Sequence, residues 1–164
     1  MFLRFAKRDA AIVALTVLAW WGLAGRSAAE TPLGDFLGFL VGAAFGASVY
    51  LVHEWGHALG AMATGGVLHP PTSLGQLSLF SFDSKRNSKG TFVVMSLGGF
   101  AVTACAVWLA YGALPEGLFA TRVARGATLA LASLTVFVEV PILFLGLLRS
   151  ELPPVETFDP AASA

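Results

Sequence analysis

Apolar residues fall into four long runs separated by more polar breaks. The runs cover about 10–25, 36–63, 92–114 and 126–148. Near-continuous apolar stretches approaching or exceeding about 20 residues predict helices that cross a bilayer. The first run is the shortest and is preceded by Arg4, Lys7 and Arg8. With Ser27-Ala28-Ala29 before Glu30, that opening resembles a cleavable signal peptide. Trp20 and Trp21 sit where an interfacial anchor would, and further spans follow, so a retained first helix is favoured.

The breaks differ in character. Thr31-Pro32-Leu33-Gly34-Asp35 is a short turn, and Pro115-Glu116-Gly117 closes the third run. The long polar connection is 64–90, with Gly65-Gly66, Pro70-Pro71 and the basic residues Lys85, Arg86 and Lys89. Within it, 76–82 (Gln-Leu-Ser-Leu-Phe-Ser-Phe) alternates as a short strand or hairpin does. The tail 149–164, with Pro153-Pro154 and small residues, reads as disordered. The expectation is an all-α membrane protein forming one integral domain over 1–164. It has about four transmembrane helices and a short β-strand or hairpin in the inner loop.

Composition supports this class. The chain has 164 residues, 56% hydrophobic and 12% charged, with a mean hydropathy of +0.75. A net charge of zero argues against nucleic acid as a partner. Cys105 is the lone cysteine, in an apolar run, so no disulfide framework exists and it reads as a small hydrophobe. Gly38, Gly42, Gly46, Gly56 and Gly60 recur mostly at spacings of four, which predicts close helix packing in lipid.

Candidate chemistry enters in the second run. His53-Glu54-Trp55-Gly56-His57 places two imidazoles four residues apart, on one face of a helix, where both can reach one Zn²⁺. Glu54 then stands beside the metal as a general base. Ionisable groups in hydrocarbon cost roughly 2.5 to 3.5 kcal/mol each when charged, so such a cluster marks function by default.

Charge distribution gives an orientation and a depth. Arg4, Lys7, Arg8, Lys85, Arg86, Lys89 and Arg149 lie on one side; Arg26, Arg122 and Arg125 lie on the other. The positive-inside rule puts both termini in the cytoplasm. Counting about 1.5 Å per residue from the inner helix ends puts residues 53–57 about 9 to 15 Å deep and Glu139 about 13 Å deep. The pair Gly98-Gly99 falls at about 9 to 13 Å. Glu139 is therefore the candidate third metal ligand, and Gly98 and Gly99 form either a packing notch or a place for substrate to approach. Pro141 predicts a kink beside Glu139.

These residues resemble the site-2 protease family of intramembrane zinc metalloproteases, in its short, compact bacterial form. The segment His53-Glu54-Trp55-Gly56-His57-Ala58-Leu59-Gly60 is similar to the family's helix-borne motif. Gly65-Gly66 with the stretch after it is similar to the family's small β-region, and Ser96-Leu97-Gly98-Gly99-Phe100 stands where the family often has Ala-Gly-Pro. The resemblance covers about 36–148, and only the first element is specific. It implies Zn²⁺ as cofactor, a bacterial inner membrane location and a membrane protein substrate cut within or near a transmembrane segment. The chain departs from the family at its third ligand. An aspartate in Leu-Asp-Gly is usual there, whereas this chain reads Leu145-Gly146-Leu147, with Val138 in place of an asparagine. Glu139 either rebuilds the site or zinc binding is weakened, and His69 and Asp83 are fallback ligands.

The leading expectation is thus an intramembrane zinc metalloendopeptidase with Glu54 as base and His53, His57 and Glu139 as ligands. The alternative is a non-catalytic membrane scaffold or partner-binding relative. A hydrolase acting on lipid ranks third, because no basic head-group pocket is visible within the spans.

Overall fold

The computed structural model describes residues 2–28, 30–71, 73, 75 and 79–152. Among these the chain is mostly helical, with α1 Phe2–Leu23, a 3₁₀ turn Ala24–Ala28, α2 Pro32–Ala63, α3 Lys89–Gly112 and α4 Phe119–Leu134. A π-helical turn, Thr135–Glu139, joins α4 to α5, Val140–Leu148. Strands β1 (Leu68–His69) and β2 (Ser81–Phe82) pair antiparallel, Leu68 opposite Phe82 and His69 opposite Ser81. Four segments are long and apolar enough to cross a membrane: Phe2–Ala28, Pro32–Ala63, Lys89–Gly112 and Phe119–Leu148.

Most helices start earlier than the apolar runs suggest, because polar residues cap them or occupy their first turns. Thr31, expected in a turn, caps α2: its side chain accepts from the Gly34 amide at 3.1 Å, and Pro32 takes the first helical position. Ser88 caps α3 in the same way through the Thr91 amide. Arg122 and Arg125 lie inside α4 rather than ahead of it. At the far end of α2 the Gly66 amide bonds Ala61 and the Gly65 amide bonds Met62, with Gly65 at φ +72°. Only a glycine enters that left-handed position freely, so Gly65 ends the helix and turns the chain into β1.

The central helix is α2, which packs against α1, α3 and α4. Its glycines serve two partners rather than one. A side chain added at Gly42 or Gly46 would run into Ala120, Val123 or Ala127 of α4, whereas one at Gly56 or Gly60 would meet Gly98 or Val94 of α3. The ten residues from Gly46 to Gly56 turn the glycine stripe about 80° round the helix, from one neighbour to the next.

Contact between α2 and α3 is closest where Gly56 and Gly98 oppose each other. A methyl group on either would meet the backbone of the other. Backbone cannot swing aside as a side chain can, so Gly98→Ala is expected to lower stability by about 1 to 3 kcal/mol or more. Thermal unfolding of the purified protein in detergent measures this, and an unchanged transition would show that the helices separate easily here.

The first helix is part of this packing. Asp9, 3% exposed, accepts from the Trp55 indole at 2.9 Å and is paired with Arg8 at 2.7 Å. Higher up, Ser48 donates to Thr16 at 2.9 Å. Phe5 is buried with Ala58 and Leu79, so the start of α1 sits against the end of α2 and the hairpin segment. In the hairpin, the Asn87 side chain clasps both the amide and carbonyl of Val67, at 2.7 and 2.8 Å. The alternating stretch expected over 76–82 is a strand at Ser81–Phe82; residues 76–78 lie outside the described residues. Of the tail expected as disordered, 153–164 also lie outside. Leu152 packs on the cluster of Ala61, Phe82, Phe92 and Met95, and Lys89 holds the carbonyls of Leu147 and Arg149.

Candidate metal centre

His53 and His57 project from one face of α2, as the four-residue spacing requires. Each ring is oriented through Nδ1. His57 Nδ1 donates to the Met95 carbonyl at 2.9 Å, and His53 Nδ1 faces the Gly99 carbonyl at 3.1 Å and Thr103 Oγ1 at 2.8 Å. A carbonyl only accepts, so the Nδ1 atoms carry protons, and each ring turns its Nε2 toward the same point. The two Nε2 atoms are 3.0 Å apart.

Glu139 completes the group from the opposite wall. Its Oε1 lies 3.1 Å from His53 Nε2 and its Oε2 lies 3.7 Å from His57 Nε2. One ligand atom from each of the three residues falls within 4.8 Å of the others. Donors around one tetrahedral ion with bonds near 2.0 to 2.1 Å stand about 3.3 Å apart, so the set has the span of a single ion. The two Nε2 atoms and the carboxylate crowd one point, and a cation between them would satisfy all three. Glu139 Oε2, buried and without a hydrogen-bond partner, is the atom that most needs one. Residues and geometry therefore fit a bound metal ion.

The π turn is what aims Glu139. The Val140 amide bonds the Thr135 carbonyl five residues back, one more than in an α-helix. Pro141 follows at once, and in a regular helix its ring would press on the carbonyl four residues earlier. Widening the turn relieves that contact and shifts the helical phase by roughly a quarter turn by Glu139. The kink expected at Pro141 takes this form.

Exposure rises across the group, from 1% at the His53 side chain through 13% at His57 to 29% at Glu139. It opens on a cavity of about 140 Å³ lined by Glu54, His57, Glu139 and Ser96 on its polar side and by Phe80, Phe82, Phe92, Met95 and Ile142 on its apolar side. That volume holds several waters. Glu54 thus shares a cavity with two of the three metal-binding candidates, where a base would have to stand.

Gly98 and Gly99 lie at the depth expected, but α2 itself fills the notch. Gly98 meets Gly56, and a methyl group on Gly99 would strike the His57 ring. Gly99 also offers its carbonyl to His53. Both glycines seat the motif helix, and the cavity is lined by their neighbours Met95 and Ser96 instead.

The fallback ligands pair with each other. His69 Nε2 is 3.2 Å from Asp83 Oδ2, and Asp83 Oδ1 accepts from the amides of Lys85 and Arg86, both at 3.1 Å. Desolvation pushes the Asp83 carboxyl up, but the bonds from His69, Arg86 and Lys85 outweigh it and hold the group below its ordinary value. That pair links the end of β1 to the turn that follows β2. Gly146, where the resemblance expected an aspartate, packs against the Phe92 ring.

Sequence reasoning missed Thr103 and Thr135, which touch each other and, through Thr103, His53. Hydroxyls in apolar helices usually bond their own backbone, so they carry little signal. It also missed the Asp9 bond to Trp55, because Asp9 reads as part of a solvated basic opening. Compared with known proteins, the chain matches no family model, no curated protein and no solved structure.

Proposed function

We propose that this protein is an intramembrane zinc metalloprotease that hydrolyses a peptide bond within or near a transmembrane segment of another membrane protein. The observation that carries this reading is the convergence of His53, His57 and Glu139 beside a cavity large enough for several waters and also lined by Glu54. Two imidazoles and one carboxylate with a side left open are the donor set of catalytic rather than structural zinc. Zinc held there would polarise the scissile carbonyl and acidify a water molecule.

The chain's own residues supply the rest. Glu54 takes the proton from the attacking water and returns it to the leaving amine. Phe80, Phe82, Phe92 and Ile142 form an apolar wall that receives an unwound stretch of transmembrane peptide. His57 and Glu139 border the cavity while His53 is sealed behind them, which leaves one side of the group for substrate and water.

Water reaches this depth because α2 is longer than a bilayer needs. Its 32 residues extend about 48 Å against a hydrocarbon core of about 30 Å. His53 lies ten residues before its end at Ala63, beneath the polar connection. With the orientation given by Lys85, Arg86 and Lys89, that end faces the cytoplasm of a bacterial inner membrane, and both termini lie there. The scaffold alternative draws on the missing family aspartate. A glutamate already in contact with both histidines removes most of that ground.

Metal removal tests the reading. Proteoliposomes holding the full chain and single-span membrane proteins are expected to yield fragments cut within the span. A zinc chelator should abolish cleavage, and added Zn²⁺ should restore it. Fragments that persist in chelator would exclude this centre as their source.

A further inference from the structure

We propose that Thr103 and Thr135 are positioning residues that fix the ring orientation of His53, an inference resting on the reading of His53, His57 and Glu139 as a metal centre. At 1% exposure His53 has no solvent to satisfy its Nδ1, so its proton must go to a protein acceptor. Two are in reach, Thr103 Oγ1 at 2.8 Å and the Gly99 carbonyl at 3.1 Å. The nearer takes the larger share of the bond. Thr103, accepting from His53, must place its own proton elsewhere, and Thr135 Oγ1 stands 3.4 Å away. Both threonines are 5% exposed.

The resulting chain runs from His53 Nδ1–H to Thr103 and on to Thr135. It holds the plane of the His53 ring and so aims Nε2 at the metal position. It also ties the two walls of the centre together, because the Thr135 carbonyl closes the π turn that ends in Glu139. Three other hydroxyls of α3 and α4 bond within their own helix. Thr128, Ser96 and Ser133 bond carbonyls four residues back on their own helices, whereas the bonds of Thr103 and Thr135 run between helices.

His57 provides an internal contrast. Its Nδ1 bonds the Met95 backbone carbonyl, whereas His53 Nδ1 has a hydroxyl, Thr103 Oγ1, as its nearer partner beside the Gly99 carbonyl.

The test is zinc affinity of the purified full chain in detergent, measured by competition with a chromogenic chelator. Thr103→Val keeps the shape and loses the hydroxyl; it is expected to weaken zinc binding about 10- to 100-fold, in the range of lost outer-shell bonds to histidine ligands. Thr103→Ser should bind nearly as the wild type does. Thr135→Val should show a smaller loss, and the double valine variant should be no weaker than Thr103→Val alone, because Thr135 reaches His53 only through Thr103. Thr128→Val, which removes a buried hydroxyl bonded within α4, should leave affinity unchanged. If Thr103→Val does not fold, Thr135→Val and Thr103→Ser carry the comparison. Wild-type affinity in Thr103→Val, or in Thr135→Val where that comparison is used, overturns the inference and leaves the metal centre standing. A wild-type protein that binds no zinc overturns the centre, and the inference falls with it.

Discussion

Glu54→Gln protein is expected to bind zinc as the wild type does and to lose cleavage of a transmembrane substrate by about a hundredfold to ten-thousandfold. Glutamine keeps the shape of glutamate and its ability to hydrogen-bond. It cannot take a proton from water. Glu54 lies on the cavity with His57 and Glu139 but is not one of the three converging donors. The substitution therefore separates holding the metal from using it. Zinc stoichiometry and cleavage measured on the same preparation decide the matter. Retained zinc with lost cleavage supports a base at Glu54, and undiminished cleavage sinks the protease reading.

Replacing Glu139 should act on the other half of the site. Glu139→Ala removes one of three protein donors and the carboxylate that faces both Nε2 atoms, so zinc affinity should fall by more than the roughly hundredfold that an outer-shell change causes. Glu139→Asp, one methylene shorter, should retain part of it. The zinc-free protein should behave in the opposite sense. A carboxylate with one buried oxygen lacking a hydrogen-bond partner is a liability in an apolar helix, so the alanine variant should melt no lower than the wild type without metal. Chelator competition and thermal unfolding read the two effects separately. Unchanged zinc stoichiometry and affinity would remove Glu139 from the centre. Substituting His69 or Asp83 should not move zinc affinity, since they are paired with each other beside the hairpin.

Depth was legible in the chain because helices rise uniformly, about 1.5 Å per residue, and apolar runs show roughly where the count starts. That is why Glu139 could be matched with 53–57 from residue numbers alone. Direction around the axis was less so. A π turn adds a residue that no periodic pattern records, and Pro141 hints at a disturbance without giving its sense. The glycines show the same limit. Spacings of four announce close packing, but that Gly42 and Gly46 face α4 while Gly56 and Gly98 face each other depends on which helices are neighbours. Polar residues at helix ends were misread for a related reason. Thr31 and Arg122 look like loop residues until a cap or a first helical turn is seen around them.

The sequence by itself determined four apolar segments, the spacing that sets two histidines on one helical face, and a carboxylate at their level. Each is local, written in composition or in separations of a few residues. Only the tertiary structure decided that His53, His57 and Glu139 meet within 4.8 Å, that Gly98 and Gly99 seat the motif helix, and that Thr103 and Thr135 stand behind His53. Those facts depend on how helices rotate and cross. In this fold, rotation and crossing are set by glycine contacts and one widened turn between residues far apart in the chain.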